Sequence, residues 1–197
     1  MIVSAAYERR RLRVLAGLVR GRSVLDVGYA QQPNPYLQGV HRVGLDLRAP
    51  APEGLRYDEE IVGDATQLAS LLPGRTFDTI LCAELIEHLE NPYALLRSLR
   101  GALAPGGRLI VSTPNPLAPP VVVAELLRLR RFFYTRDHLY YFLPRWVERL
   151  FEASGYVVEE VRGLGLWTPL GSLPAPTALS YQVVYVGRVR AESELAE

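Results

Sequence analysis

The chain has 197 residues, of which 49% are hydrophobic and 22% are charged, and its formal net charge is +1. These values predict one globular domain with a sizeable core, and they exclude the long-range attraction to nucleic acid that a strongly basic chain would have. Cys82 is the single cysteine, which excludes a disulfide framework, and no run is apolar enough for a membrane span or a signal peptide, so we expect a cytoplasmic protein.

The first 22 residues are predicted to form a helix that packs on the rest of the domain. Apolar residues recur at helical spacing over residues 7–19. The opposite face carries arginines, which indicates a face in contact with solvent, with an anionic substrate as the alternative partner. These residues are Arg9, Arg10, Arg11 and Arg13.

The stretch over residues 23–37 has the pattern of a strand, a glycine turn and a helix start. Its apolar run predicts a buried strand that ends at Gly28, and Asn34 is the expected N-cap of a short helix that begins at Pro35. Doubly wound α/β sheets form their cofactor cleft with this arrangement. Asp26 lies inside the apolar strand, where it would either hold the loop through backbone N–H groups or also order a bound cofactor.

Two apolar runs that end on acidic residues predict the next strands. Residues 41–46 end on Asp46, and residues 60–64 end on Asp64. In nucleoside-binding α/β folds, a carboxylate at the end of the second strand accepts hydrogen bonds from the ribose hydroxyls. Between these strands, the Pro and Gly residues within 48–58 predict a loop in place of the usual crossover helix.

Strands and helices continue to alternate after Asp64. Strands are predicted over residues 77–82 and 108–113, a short helix is expected to be capped by Thr66, and a second helix begins after Asn91. This alternation predicts a doubly wound α/β sheet that is mostly parallel, with helices on both of its faces.

The segment over residues 114–143 differs in composition, with a proline-rich loop followed by an apolar helix predicted over residues 121–129. We expect this segment to form an insertion on the substrate side of the domain. A further helix is predicted over residues 144–154. The side chains expected to face inward from it are Trp146, Val147, Leu150 and Phe151.

The chain is predicted to end with two strands, over residues 156–161 and 181–189. A Gly- and Pro-rich loop that contains Trp167 joins them. Residues 191–197 are expected to form a tail outside the domain.

Several motifs occur in the order and at the spacing found in the class I S-adenosylmethionine-dependent methyltransferases, which the chain resembles over roughly residues 23–189. The motifs are Val24-Leu25-Asp26-Val27-Gly28, the strand that ends at Asp46, Val62-Gly63-Asp64-Ala65, Phe77-Asp78, Glu87-His88-Leu89 with Asn91-Pro92, and Leu103-Ala104-Pro105-Gly106-Gly107-Arg108-Leu109. Within that class the chain resembles the ubiquinone-pathway and methyltransferase type 11-like enzymes. The resemblance implies a Rossmann-like, seven-stranded, mostly parallel sheet with an antiparallel last strand, and a methyltransferase domain over residues 23–190.

The resemblance also implies S-adenosyl-L-methionine as the cofactor. Glycine-loop residues would pass under the methionine moiety, Asp46 would hold the ribose hydroxyls with Leu47 beside the adenine, and Asp64 would accept from the adenine amino group. The residues implied to contact the cofactor are Asp26, Gly28, Tyr29, Ala30, Asp46, Leu47, Asp64, Ala65, Cys82 and Ala83. The family loop usually reads Asp-x-Gly-x-Gly-x-Gly, whereas this chain has Ala30 and Gln32 in place of the second and third glycines, which predicts a differently shaped loop.

A second group of polar residues follows the predicted fourth strand. If residues 84–88 are helical, Glu84 shares a face with Glu87 and His88, and His138 reaches the same place from the segment after the fifth strand. Two carboxylates and two imidazoles can hold one divalent cation such as Mg, Mn or Zn. This group resembles the metal sites of small-RNA terminal-ribose methyltransferases and ubiquinone-pathway catechol O-methyltransferases, where the metal binds a vicinal diol.

The same group has a second interpretation without a metal. His88 would then shape the site through hydrogen bonds to the backbone, and either His88 or His138 would be the candidate catalytic base for a hydroxyl nucleophile.

The predicted substrate is a small molecule with an apolar or planar part, such as an aromatic, quinone, lipid or glycan precursor. Aromatic side chains either cover the cleft or pack in the core, and they are Phe132, Phe133, Tyr134, Tyr140, Tyr141 and Trp167. The alternatives are an RNA terminal-ribose methyltransferase and a non-catalytic partner protein that binds an S-adenosyl ligand. For the RNA alternative, the phosphate-binding residues would be Arg128, Arg130, Arg131 and Arg136.

No strong nucleic-acid signal accompanies the weak net charge. The apolar helix over residues 121–129 allows at most peripheral membrane contact, and a homodimer is left open. A nicotinamide dehydrogenase is disfavoured, because Gly-x-Gly-x-x-Gly does not follow the first strand.

Overall fold

The fold is built on one seven-stranded sheet with helices on both faces. The computed structural model describes residues 4–129, 138–168, 171–191 and 194. In chain order its elements are α1 (Ala5–Leu18), β1 (Ser23–Val27), β2 (His41–Asp46), β3 (Glu59–Val62), α2 (Leu68–Leu71), β4 (Phe77–Ala83), α3 (Pro92–Arg100), β5 (Leu103–Pro114), α4 (Pro119–Leu126), α5 (Pro144–Ala153), β6 (Tyr156–Gly163), β7 (Leu166–Thr168), β8 (Gly171–Leu173) and β9 (Gln182–Val189).

The strand order of the main sheet is β3-β2-β1-β4-β5-β9-β6. The first five strands in this order pair in parallel, and β9 lies antiparallel to both β5 and β6. The predicted Rossmann-like sheet, with its last strand antiparallel and inserted beside the preceding one, is therefore confirmed. Because the chain order reverses between β1 and β4, the carboxyl ends of these strands open a crevice, where doubly wound sheets bind ligands.

The two faces of the sheet bury separate apolar clusters. Leu25 and Val27 of β1 pack with residues of α3 and α5 on one face, whereas Val24 packs with residues of α1 and α4 on the other. Successive side chains of a strand point to opposite faces. Asp26 consequently lies on the same face as Val24, which is the face that α1 covers.

Two predictions about which helical residues face inward were wrong. Trp146 is 64% exposed, because it precedes the buried stripe of α5 by one residue, which turns it about 100° away from that stripe. Arg11 was expected in a solvent-exposed face but is only 4% exposed. It lies four residues after Tyr7 and four before Leu15, so it belongs to the buried stripe of α1.

Three local predictions were also wrong. The helix expected from Pro35 is a turn, in which Asn34 Oδ1 accepts a hydrogen bond from the Tyr36 N–H at 3.0 Å. The helical segment after β3 is capped by Asp64, which accepts from the Thr66 N–H at 2.8 Å, and not by Thr66 itself. The loop expected around Trp167 contains a small antiparallel hairpin of β7 and β8.

The segment between β2 and β3 has no helix, as predicted. It supplies Tyr57 to the face of the sheet beneath α1. Among the residues that the structure describes, no helix combines the length and the apolar character needed to cross a membrane.

Candidate active site

A cleft of about 500 Å³ lies at the carboxyl ends of β1, β2 and β4. This size and position are typical of a small-molecule site in a doubly wound sheet. Most of the residues that the resemblance implies as cofactor contacts do line this cleft. They are Asp26, Gly28, Tyr29, Asp46, Leu47, Asp64, Ala65 and Ala83. Ala30 and Cys82 are not among the lining residues, and the Cys82 side chain is fully buried in the core beneath the cleft.

Gly28 forms the sharp turn at the end of β1. Its φ of +80° lies in the left-handed region that favours glycine. Its N–H donates to the Leu45 carbonyl at 2.8 Å, and a Cβ at this position would approach the Leu85 side chain to 3.2 Å. The backbone of the loop therefore requires glycine here.

Ala30 and Gln32 do not share that requirement. In the described part of the chain, the non-glycine residues with positive φ are Glu84 and Arg128. Ala30 and Gln32 therefore adopt backbone conformations that ordinary residues tolerate. The Ala30 N–H donates to Asp46 Oδ2 at 3.0 Å, and Gln32 Oε1 accepts from the guanidinium of Arg11.

The three aspartates of the cleft differ in their partners. Asp46 accepts from the backbone N–H groups of Ala30 and Arg48 at 3.0 Å each, and Asp64 accepts from Thr66. Asp26 is only 6% exposed, and it accepts a 2.6 Å hydrogen bond from the Tyr57 hydroxyl. Burial raises the pKa of Asp26 to about 7, although the Tyr57 hydrogen bond and the Arg11 charge oppose this rise.

Arg11 is a cleft residue that the sequence interpretation considered only as an alternative, in its suggestion that the arginines of the first helix contact an anionic substrate. It lines the cleft from α1, forms an ion pair with Glu8 at 2.8 Å and binds Gln32. The signal that could have identified it is its spacing of four residues from both Tyr7 and Leu15, which places a cation in an apolar stripe.

Glu84 lies at the carboxyl end of β4 with a φ of +52°. Its Oε1 accepts from the Ser112 hydroxyl at 2.8 Å, and its Oε2 accepts from Gln182 Nε2 at 2.5 Å. Burial raises the pKa of its carboxyl, and the Arg11 charge opposes that rise. Glu84 therefore combines a left-handed backbone conformation, which is strained for a non-glycine residue, with a side chain held by two others, and it lines the cleft.

Glu87, His88 and His138 lie together, with one potential ligand atom from each within 4.8 Å of the others. The two imidazole rings are 4.6 Å apart and nearly perpendicular. His138 is held there because the next two residues, Leu139 and Tyr140, donate backbone N–H groups to the Glu87 carbonyl at 2.8 and 3.2 Å. His88 also lines the cleft, so this cluster opens onto it.

Glu87 is 1% exposed, and its Oε2 accepts from the Thr113 hydroxyl at 3.2 Å. Its Oε1 is buried, and no donor from residues 4–129 or the other described ranges lies within hydrogen-bond distance of it. Burial, reinforced by the nearby Glu84, raises the pKa of Glu87 well above its usual value. One carboxylate and two imidazoles form a donor set that fits a divalent transition metal, and an orphaned carboxylate oxygen is one observation in favour of that fit.

The expected four-residue cluster is therefore incomplete, because Glu84 is not part of it. The prediction required residues 84–88 to be helical, but the 3-10 helix begins at Ile86, and the positive φ of Glu84 turns its side chain toward Ser112 and Gln182.

Comparison with known proteins decides the family. A family model described as a methyltransferase domain matches residues 2–161. The chain belongs to this family. It is a class I S-adenosylmethionine-dependent methyltransferase.

The methyltransferase is similar in sequence to the ubiquinone biosynthesis O-methyltransferase of Aeromonas salmonicida, with 28% identity over 167 residues that cover 76% of this chain and 68% of the relative. It shares its fold with a SAM-dependent methyltransferase from Archaeoglobus fulgidus, at a TM-score of 0.71 and 18% identity, with 93% and 94% of the two chains covered. It also shares its fold with the 1,6-didemethyltoxoflavin-N1-methyltransferase of Burkholderia thailandensis, whose structure contains S-adenosylhomocysteine, at a TM-score of 0.65 and 19% identity, with 95% and 79% covered.

The segment that was expected to form the substrate side, residues 114–143, is described in part. Tyr140 and Tyr141 are both partly exposed, and the Tyr140 hydroxyl donates to the Glu90 carbonyl at 3.0 Å. Trp167 packs at the edge of the cluster that α1 covers. The residues of the sequence interpretation that lie outside the described part are Arg130, Arg131, Phe132, Phe133, Tyr134 and Arg136.

Proposed function

We propose that this methyltransferase transfers the methyl group of S-adenosylmethionine to a hydroxyl oxygen of a small molecule. The observation that carries the proposal is the Glu87, His88 and His138 cluster, which opens onto the cleft through His88. Such a cluster can accept a proton from a hydroxyl group or lower the pKa of that group through a cation. The sequence similarity to relatives named ubiquinone biosynthesis O-methyltransferase supports the same reaction class.

The cofactor would lie across the carboxyl ends of the strands. Asp46 would accept from the ribose hydroxyls with the lone pairs that Ala30 and Arg48 leave available, and Asp64 would accept from the adenine amino group. Leu47 and Ala65 would flank the adenine. The methionine moiety would lie over Gly28 and Ala83, where the buried Arg11 guanidinium is placed to pair with its carboxylate.

The reaction is a direct displacement. The acceptor oxygen attacks the sulfonium methyl in line, the C–S bond breaks as the O–C bond forms, and S-adenosylhomocysteine leaves as a neutral thioether. The hydroxyl proton passes to His88 or His138. The enzyme otherwise contributes by holding the two reactants in line and excluding water.

The second part of the proposal is that a divalent cation binds in the Glu87, His88 and His138 cluster. Glu87, His88 and His138 would hold it, and Glu84, which is paired with Ser112 and Gln182, would not. When bound, the cation would bind an acceptor oxygen and lower the pKa of its hydroxyl.

The acceptor class that we propose is an aromatic, quinone, lipid or glycan precursor. The Tyr141 ring lies 5.9 Å from the His138 ring, centroid to centroid, and is partly exposed. Tyr140 adds a second partly exposed ring next to it in the chain. Planar side chains beside a candidate base favour an acceptor that has an apolar or planar part.

The proposal is tested by S-adenosylhomocysteine binding and by methyl transfer to catechol. We expect calorimetric binding by the wild type and at least about tenfold weaker binding by Asp46→Asn, because a carboxylate that accepts from two hydroxyls loses that capacity as an amide. The matched control is Glu53→Gln, an exposed carboxylate outside the cleft, which should bind like the wild type.

Methyl transfer to catechol is then followed with and without EDTA, and with added Mn²⁺. Loss of activity in EDTA and recovery with Mn²⁺ would support the cation, whereas activity that is insensitive to EDTA would assign the proton to a histidine. Absence of wild-type binding at millimolar S-adenosylhomocysteine would overturn the cofactor site itself. The peripheral membrane contact, the homodimer and the cytoplasmic location stay predictions.

A further inference from the structure

The glycine-poor loop over residues 28–34 is held by side chains from three other elements. Asp46 at the end of β2 accepts from the Ala30 N–H, and Arg11 of α1 donates to Gln32 Oε1. The last part of the loop is held by Asn34, whose side-chain amide donates to the Leu12 carbonyl at 2.9 Å and whose backbone N–H donates to the Tyr57 hydroxyl at 2.8 Å.

Tyr57 contacts both ends of this loop. Its ring stacks on the ring of Tyr29 with centroids 4.8 Å apart and planes at 23°. Its hydroxyl donates to Asp26 Oδ2 at 2.6 Å while accepting from the Asn34 N–H. The Tyr57 side chain thus connects Tyr29, Asn34 and the side-chain carboxyl group of Asp26.

The surroundings leave Tyr57 little freedom to move. Its side chain is buried, and burial together with the Asp26 charge raises its pKa, so the hydroxyl keeps the proton that it donates. The Tyr29 ring also lies against Gly44 of β2, where an added Cβ would come within 2.4 Å of a ring carbon. Tyr29 is therefore held by contacts with both β2 and Tyr57.

We propose that Tyr57 is a positioning residue for S-adenosylmethionine, which sets the shape of the cofactor loop from the segment that replaces the crossover helix between β2 and β3. The inference rests on the cofactor site proposed above. In the family pattern, glycines let the loop backbone approach the cofactor, whereas here Ala30 and Gln32 restrict the backbone and long-range contacts fix it. Tyr57 does not touch the cofactor in this proposal. It acts through Asp26, Tyr29 and Asn34.

The test is Tyr57→Phe, which keeps the stacked ring and removes the hydroxyl. Its matched control is Tyr36→Phe, which removes a hydroxyl two residues beyond Asn34 from a partly exposed ring that stacks under Arg13. Both variants are compared with the wild type at a temperature at which circular dichroism shows all three proteins to be fully folded. A loss of binding then reports on the folded site and not on the folded fraction.

Three readouts are expected to change in Tyr57→Phe and not in Tyr36→Phe. Without ligand, hydrogen exchange of a peptide that spans residues 29–37 should become at least about tenfold faster, because the Asn34 N–H loses its acceptor. The calorimetric Kd for S-adenosylhomocysteine should rise about tenfold, and the KM for S-adenosylmethionine should rise with a much smaller change in kcat.

Each outcome decides a different point. Exchange and Kd values within twofold of the wild type in a folded Tyr57→Phe protein would overturn the inference and leave the cofactor site intact. Faster exchange with an unchanged Kd would make Tyr57 a purely structural residue, which also overturns it. If the wild type fails to bind S-adenosylhomocysteine, the cofactor site and the inference fall together.

Discussion

Asp26 is a buried carboxyl group that is flanked by apolar side chains in β1. Its contribution to the free energy of unfolding depends on pH. Burial raises its pKa from 3.8 to about 7. The protonated form is therefore favoured in the folded state. The contribution of this group to stability is fully present below the unfolded pKa and is lost as the pH rises through the folded pKa. Above about pH 7 the fold carries the whole cost of a buried charge, which the Tyr57 hydrogen bond reduces.

The Asp26→Asn variant is expected to become more stable relative to the wild type as the pH rises. The amide oxygen still accepts from Tyr57 and carries no charge to bury. The difference in the free energy of unfolding should grow by up to about 3 kcal/mol between pH 5 and pH 8. Urea unfolding at both pH values measures it, with Glu53→Gln expected to follow the wild type. A difference that stays constant with pH would show that Asp26 ionises normally in the fold.

At the scale of elements, the strands could be predicted and the details of the loops could not. Apolar runs predicted β1, β2, β4 and β9, because the apolar composition of a short segment is enough to indicate a buried strand. The seven-stranded, mostly parallel sheet with an antiparallel last strand followed from the family resemblance. The Asn34 turn was mistaken for a helix start, since a side chain that caps a helix also closes a turn.

The candidate site was predictable where its residues end strands. Asp46 and Asp64 both line the cleft, as their positions after apolar runs indicate. Tyr57 lies 31 residues from Asp26 in a segment without periodicity, so no local pattern signals their contact. Glu84 has a left-handed backbone, and its carboxylate pairs with Ser112 and Gln182 on other strands. No local pattern signals these contacts, so the helical assumption failed there.

Two glycines that look equivalent in sequence are expected to respond oppositely to alanine. Gly17 lies in α1, and apart from its chain neighbours and its own helix backbone, no atom of the described residues lies within 4 Å of a Cβ added there. Gly17→Ala should therefore stabilise the protein by up to about 1 kcal/mol through helix propensity. Gly44→Ala places a Cβ 2.4 Å from the Tyr29 ring and should cost about 1–3 kcal/mol.

Urea unfolding measures both free energies, and calorimetry adds a second distinction. Gly44→Ala should also weaken S-adenosylhomocysteine binding because it displaces Tyr29 from the stack with Tyr57, whereas Gly17→Ala should leave binding unchanged. Equal stabilities for the two variants would mean that the Tyr29 ring moves aside at no cost, contrary to a clamped loop.

At the scale of the whole molecule, the sheet and the charge distribution favour the same type of substrate. The crevice between β1 and β4 has a volume of about 500 Å³, and its lining includes three aspartates, two arginines and apolar side chains. The formal net charge of +1 provides no general field to attract a polyanion. Both features fit a reaction between two small molecules held in one cleft.

Salt dependence should therefore separate a small-molecule acceptor from RNA. With a neutral acceptor such as catechol, we expect kcat/KM to change by less than about threefold between 50 and 200 mM salt, because few ion pairs form on binding. An RNA acceptor held through six or more phosphates would lose about 10³-fold over the same range. S-adenosylhomocysteine binding is measured at both salt concentrations, so that any salt dependence of cofactor binding can be separated from that of the acceptor. A fall in kcat/KM of about a hundredfold or more, without a similar fall in S-adenosylhomocysteine affinity, would favour the RNA acceptor. Salt dependence on that scale requires several phosphate contacts, which a small neutral acceptor cannot make.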